Sequence, residues 1–249
     1  MGQKVGIGGP RSARGGSAAI EALAAARSRG FLGRLPVELV DEITESAATV
    51  YYPKGTISFP ASEGAQPAVV LSGLLRYYLA TSTGRQITIR YIGVGDLAGT
   101  VNPYGPGLST AIQAVEPSLL LHLDRPLLDA LMRRRPDFAS ELLEELAIRL
   151  RFAYGALAAT AFTPVRARVA RDLLERARAS DSLRPGLRLQ VTQQALADAT
   201  GSVREVVTRA IGELRREGVI ATDAAGISIL DPGALVAEAS QGATPGLGW

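Results

Sequence analysis

Between residues 50 and 123 the chain is cut at regular intervals by glycine. Lys54-Gly55, Glu63-Gly64, Ser72-Gly73, Thr83-Gly84 and Gly95-Asp96 fall roughly 9–11 residues apart. Between them stand VYYP, TISF, AVVL, LLRYYLA and QITIRYI, stretches rich in β-branched and aromatic residues. A Pro/Gly loop, NPYGPG (102–107), then precedes STAIQAVE and SLLLHL. Glycine adopts the left-handed backbone that tight turns demand, so this punctuation predicts an antiparallel sandwich or barrel-like roll. His122 sits between Leu121 and Leu123 at the end of the last stretch, which reads as a hydrogen-bonded or surface strand histidine.

Composition narrows the chemistry. The 249 residues are 47% hydrophobic and 20% charged, enough to bury a core. There is no cysteine and one histidine, which removes disulfides, iron–sulfur ligation and cysteine-based zinc sites and predicts no metal centre. The carboxylates Asp96, Glu116 and Asp124 are scattered without a histidine partner, so no acid–base set for an enzyme emerges. No apolar run reaches about 18 residues and no apolar signal core leads the chain, so the expectation is a cytoplasmic protein without a membrane partner. Lys and Arg outnumber acids six to one over residues 1–34 and eleven to nine over 163–231, whereas 35–162 holds ten against thirteen. Two basic ends flank an acidic middle, a weak pointer toward a polyanion.

The helical segments follow from spacing. Residues 1–16 are rich in Gly, Arg and Ser and read as a flexible basic tail. SAAIEALAAARSR (17–29) reads as a helix with Ser17 as N-cap and Gly30 as stop, and FLGRLPVELVDEI as two short helices broken at Pro36. After Pro136 a long helix is predicted from Asp137 to about Ala161. Leu143, Leu146, Leu150, Ala153, Leu157 and Thr160 recur along it as a heptad seam for pairing with a second copy. Glu141, Glu144, Glu145, Arg149 and Arg151 are expected to keep its other faces wet. Thr163-Pro164 ends the helix and serves as the hinge, because a residue before proline leaves the helical region. Residues 166–179 restart as a helix burying Val169, Leu173, Leu174 and Ala177, and LRLQV follows as a short strand.

The most informative stretch is TQQALADATGSVREVVTRAIGELRREG, Thr192 to Gly218. Thr192 caps a short helix, Gly201 supplies the turn, and Ser202 with Glu205 forms a capping box for a second helix. Ala197, Gly201 and Val207 let the two helices cross closely, as a helix-turn-helix requires. Val207, Ala210, Ile211 and Leu214 take the inner face; Arg204, Glu205, Thr208, Arg209 and Gly212 take the outer one. Arginine can hold guanine bidentately and glutamate can accept from cytosine, so the outer face suits double-stranded DNA. Thr192, Gln193 and Gln194 at a helix start, with Ser202 at the turn, suit phosphate contacts that set register. VIAT, DAAG and ISIL complete a β-hairpin wing.

Taken in order, these segments resemble the Crp–Fnr family of bacterial transcription regulators over about residues 28–231. Gly201-Ser202-Val203-Arg204-Glu205-Val206-Val207-Thr208-Arg209 is similar to the family's recognition-helix pattern. That likeness implies Arg204, Glu205 and Arg209 as base readers, a palindrome with TGTGA-like half-sites, a homodimer, and RNA polymerase as a partner at promoters. It also implies that an effector rotates the long helices and reorients the DNA-binding domains across the Thr163-Pro164 hinge. Gly95-Asp96-Leu97-Ala98-Gly99 resembles the turn that opens the family's effector cassette.

The likeness implies an α+β architecture with a cupin-like double-stranded β-helix. Its parts are a tail (1–16), an effector-binding-like β-roll domain with flanking helices (17–136), a dimerisation helix (137–162), a winged helix-turn-helix (163–231) and a C-terminal tail (232–249) holding at most a short helix.

The departures are specific. Gly99-Thr100 stands where cyclic-nucleotide binders carry Gly-Glu, and Leu108-Ser109, followed by Thr110, replaces the Arg-Ser/Thr pair that grips the cyclic phosphate. Ala153-Tyr154 aligns with the Thr-Ser pair that meets the purine. Cyclic AMP is therefore not expected to bind in the usual pose, because a phosphate without its arginine loses a charge-assisted partner. Absence of cysteine excludes the cluster of the oxygen-sensing branch, leaving a different effector or none. The competing reading is an effector-binding or protein-interaction module whose helix-turn-helix does not bind DNA specifically.

Overall fold

The computed structural model describes residues 11–12, 17–45, 47–58, 67–81, 86–99, 110–179 and 183–241. They form two compact units, one drawn from Met1–Tyr77 and Ile92–Leu150, the other from Tyr78–Tyr91 and Arg151–Trp249.

The first unit is the glycine-punctuated roll. Its strands are β1 (Arg11–Ser12), β2 (Ala48–Tyr52), β3 (Ile57–Ser58), β4 (Ala68–Ser72), β5 (Leu75–Ala80), β6 (Gln86–Ile92), β7 (Leu97–Ala98), β8 (Thr110–Ala114) and β9 (Ser118–His122). They make a five-stranded sheet in the order β1-β2-β9-β4-β7 and a four-stranded sheet in the order β3-β8-β5-β6. Of these strands, β5 from Tyr78 onward and all of β6 except Ile92 belong to the second unit. The pairings β2–β9, β4–β9, β4–β7 and β3–β8 are antiparallel, as predicted. Alternation along the strands builds two cores. Val69, Leu71, Leu97 and Leu121 face the flanking helices, packing with Phe31, Leu39, Ile43, Leu131 and Phe138. Ala68, Val70, Ala98 and Leu120 face inward, meeting Leu75, Ile92, Ile112 and Ala114 between the sheets.

Helices α1 (Ser17–Ala26), α2 (Val37–Glu45), α3 (Arg125–Arg134) and α4 (Pro136–Phe162) accompany the roll. Three features differ from expectation. Arg11 and Ser12, assigned to a flexible tail, pair with Tyr51 and Val50 of β2, because an edge strand offers unpaired backbone groups to any neighbour. α3 was unanticipated, although Asp124 caps it by accepting the Leu127 N–H and Pro126 occupies its first turn. Glu145 is buried, not wet: it accepts from Arg34 Nη2 at 2.8 Å and from Arg149 Nε at 2.9 Å. Arg34 also reaches Glu141 at 3.2 Å. Those two arginines make burial of a carboxylate tolerable.

The second unit contains α5 (Val165–Ala179), β10 (Leu187–Leu189), α6 (Gln193–Thr200), α7 (Arg204–Arg216), β11 (Ile220–Asp223), β12 (Gly226–Ile229) and α8 (Pro232–Ala239). The strands form an antiparallel sheet in the order β10-β12-β11. Val169, Leu173, Leu196, Val207, Ile211, Leu214, Ile229 and Leu235 share one core. α8 is the short helix allowed for after the wing, but it is packed into the core and is no tail. Leu235 and Ala239 are buried in that core, Asp231 caps the helix, and Glu238 is buried against Arg166 at 2.9 Å. Two apolar side chains and a compensated charge anchor it.

Candidate nucleic-acid interface

α6, the turn and α7 carry the predicted constellation. Thr192 caps α6 by accepting the Ala195 N–H at 3.1 Å, and no acidic residue occupies the first turn of α6. Gly201 ends it at φ 62°, ψ 29°, and both its N–H and that of Ser202 donate to the Ala197 carbonyl. That pair of hydrogen bonds closes the helix through a left-handed residue. The Ser202 backbone N–H thus helps close α6, and the expected capping box is not formed. Val203 is the N-cap of α7 and makes no side-chain cap, which places Glu205 one position too early to reach back.

α7 sorts by face as its sequence requires. Val207, Ala210, Ile211 and Leu214 are buried, while Arg204, Glu205, Thr208 and Arg209 are exposed. The side chains of Arg204, Glu205 and Arg209 make no hydrogen bond or ion pair with any described residue. Thr208 is different. Its hydroxyl, with one hydrogen to give, lies 2.8 Å from the Arg204 carbonyl and 2.8 Å from Gln193 Oε1, tying α7 to α6. Gln194 Nε2 donates to Asp198 Oδ1 at 2.9 Å, so Gln193 and Gln194 both have partners within the chain. At Gly212 an added Cβ would meet nothing within 4 Å, so packing does not require glycine there. The β11–β12 wing is braced by an Arg188–Asp223 ion pair and by Asp223 accepting the Ala225 N–H at 2.8 Å.

The remaining predicted residues lie elsewhere. Gly95 has φ 84°, and a Cβ there would come within 2.2 Å of the Arg29 carbonyl oxygen, so only glycine fits. Asp96 Oδ2 accepts the Gly93 N–H at 3.1 Å, and Gly99 also has positive φ. Thr110 is buried on β8, while Thr100, Leu108 and Ser109 fall outside the described residues. Ala153 and Tyr154 are exposed on α4. So is the heptad stripe: Leu143 is 66% and Leu157 67% exposed, with Leu146 and Leu150 also open and Phe162 beyond. The Thr160 side chain lies outside the described set. Thr163 and Pro164 separate α4 from α5, whereas the chain divides into its two units earlier, between Leu150 and Arg151 within α4. His122 Nε2 lies 2.9 Å from the Tyr52 hydroxyl, and burial lowers its pKa. No group of His, Asp or Glu able to hold a metal occurs among the described residues, and no described helix is long and apolar enough to cross a membrane.

Sequence reasoning missed one polar cluster. Tyr91 donates to Asp172 Oδ1 at 2.6 Å, Arg176 Nε donates to Oδ2 at 2.7 Å, and the Arg176 guanidinium lies 4.8 Å from the Tyr91 ring centroid. The only local signal was the Asp172–Arg176 spacing of four on α5.

The family profile described as a Crp-like helix-turn-helix domain matches residues 167–238. The cyclic AMP receptor protein of Thermus thermophilus is 35% identical over 173 residues, covering 68% of this chain and 77% of its own. The CRP-like cAMP-activated global transcriptional regulator of Mycobacterium tuberculosis is 28% identical over 211 residues, covering 83% and 94%. A crystal structure of a putative transcriptional regulator of the crp/fnr family from Eubacterium rectale superposes with a TM-score of 0.69 at 22% identity, covering 86% of this chain and 99% of that one.

Proposed function

The chain belongs to the Crp–Fnr family of transcription regulators, and from that premise we propose that it acts as a cytoplasmic homodimer reading a TGTGA-like palindrome. One observation carries the reading: two guanidinium groups and a carboxylate, on Arg204, Arg209 and Glu205, stand exposed on one face of α7, with no ion pair or hydrogen bond to their side chains among the described residues, while its other face is buried. Charged groups held outward by a packed helix are suited to base edges in the major groove. The Thr208 hydroxyl is occupied, which leaves its methyl group for a thymine. Thr192, Gln193, Gln194 and Ser202 lie at the helix start and turn, where phosphate contacts set register.

The open stripe from Leu143 to Leu157 supports pairing through α4, which would set two α7 helices about 34 Å apart, one turn of DNA. Thr163-Pro164 is the hinge of that reading, and RNA polymerase the partner at promoters. Two relatives carry cyclic AMP in their names. This chain lacks the arginine, glutamate and Thr-Ser pair of the usual pose, having Leu108-Ser109, Thr100 and Ala153-Tyr154 in their places. We therefore assign the Gly95–Gly99 turn and Thr110 to an effector domain that does not hold cyclic AMP in that pose.

Fluorescence anisotropy with a labelled palindrome tests base reading. Arg204→Ala and Arg209→Ala should each cost about 1–3 kcal/mol, and the loss should shrink when the contacted base is changed. Unchanged affinity in both variants would refute the assignment. Calorimetry with cyclic AMP should show no micromolar binding; a micromolar constant would overturn the effector reading.

A further inference from the structure

A cavity of about 550 Å³ lies in the first unit on the helix-facing side of the five-stranded sheet. β7 sends Leu97 to this side and Ala98 to the space between the sheets, so the cavity and the roll interior occupy opposite faces of that strand. Its wall is apolar: Leu97 and Leu123 from the roll, Leu128 and Met132 from α3, Phe138 and Leu142 from α4. Of its lining residues only Arg125 and Asp129 are charged, one helical turn apart, 3.9 Å at closest approach and each over a third exposed.

The cavity opens to solvent beside Leu143, Leu146, Arg125 and Asp129, so its apolar wall is wetted surface that a bound apolar body would remove from water. The volume falls in the range of about 300–1,000 Å³ typical of small-molecule sites. Met132 adds an unbranched, adaptable side chain to the wall. We propose that this cavity binds a small apolar molecule with one polar end, its body among the α3, α4 and roll side chains and its polar end at Arg125 and Asp129. A second copy is a poorer occupant. Of the lining residues only Leu143 and Leu146 belong to the exposed stripe of α4, so a partner helix laid on that stripe leaves most of the wall uncovered. Those two leucines border both surfaces, so the bound molecule would press on the first turns of the stripe. That coupling rests on the pairing reading above; the site itself does not.

The test uses full-length protein without DNA, so its outcome is independent of base reading. Calorimetry with decanol and decanoate should show saturable binding of one molecule per chain. Leu128→Trp, which fills the cavity, should weaken both by at least about tenfold, and Met132→Phe should do the same if the tryptophan variant fails to fold. Arg125→Gln should weaken decanoate about tenfold more than decanol. The proposal is overturned if wild type binds neither probe up to about 1 mM, or if binding survives the cavity-filling variants. Equal loss of both probes in Arg125→Gln would overturn placement of the polar end. Decanol binding to a monomeric Leu150→Glu variant but not to wild type would assign the cavity to a second copy instead.

Discussion

Glu175 offers a sharp test of how α5 is held. Burial, then repulsion from Asp172, pushes its carboxyl up to about 8, against the attraction of Arg171, Arg178 and Arg176. Arg176 and the Tyr91 hydroxyl are bonded to Asp172. An unfolded chain ionises a glutamate near pH 4.3, so between there and about 8 the unfolded state releases a proton that the folded state retains. Stability therefore falls as pH rises across that window and levels off above it. Full burial would make the gap worth on the order of 5 kcal/mol; Glu175 keeps part of its surface, and solvent screening brings this to about 2–3 kcal/mol. Glu175→Gln keeps the shape and removes the charge. It should gain that amount over the parent between pH 5 and pH 9. Two compact units need not unfold together, so the assay is hydrogen exchange of α5 amides at increasing urea, repeated at pH 5, 7 and 9. Parallel pH profiles for parent and variant would show that the carboxyl is not strained, and the reasoning fails.

Three further outcomes follow from the packing. Leu150→Glu places a charge in the open stripe of α4 and should shift sedimentation from dimer to monomer while abolishing operator binding; persistence of the dimer rules out the stripe as the seam. Gly201→Ala forces a side chain into a left-handed turn and brings its Cβ within 3.4 Å of Ile87 Cδ1, which should cost about 1–2 kcal/mol in chemical denaturation. Leu235→Ala empties a fully buried site between α8 and the winged-helix core and should cost about 2–5 kcal/mol, whereas a free tail would give no change.

Local signals were legible wherever one residue type decides a backbone. Glycines at turns marked the roll, and Gly201 marked the helix-turn-helix, because few other residues tolerate positive φ. Face sorting on α7 was equally readable, since burial there follows helical period alone. Glu145 was misread because its neutralising partner, Arg34, lies 111 residues away. The Tyr91–Asp172 contact, 81 residues apart, was invisible for the same reason. Ser202 and Glu205 fitted the capping pattern, yet the turn geometry, which spacing does not encode, moved the helix start by one residue. The packing of α8 into the core was hidden because its three buried residues, Leu235, Glu238 and Ala239, leave little apolar periodicity and one of them is charged.

Arg166, in the first turn of α5, gathers three acids: Glu217 through a bidentate pair, Glu238 at 2.9 Å and Glu213 at 3.7 Å. The first of these most strongly raises its pKa. Three negative groups leaning on one positive hub make this corner of the fold evolutionarily stiff. Losing the hub alone would leave mutual repulsion where there was cohesion, so drift at this position should be permitted only after, or together with, loss of an acid.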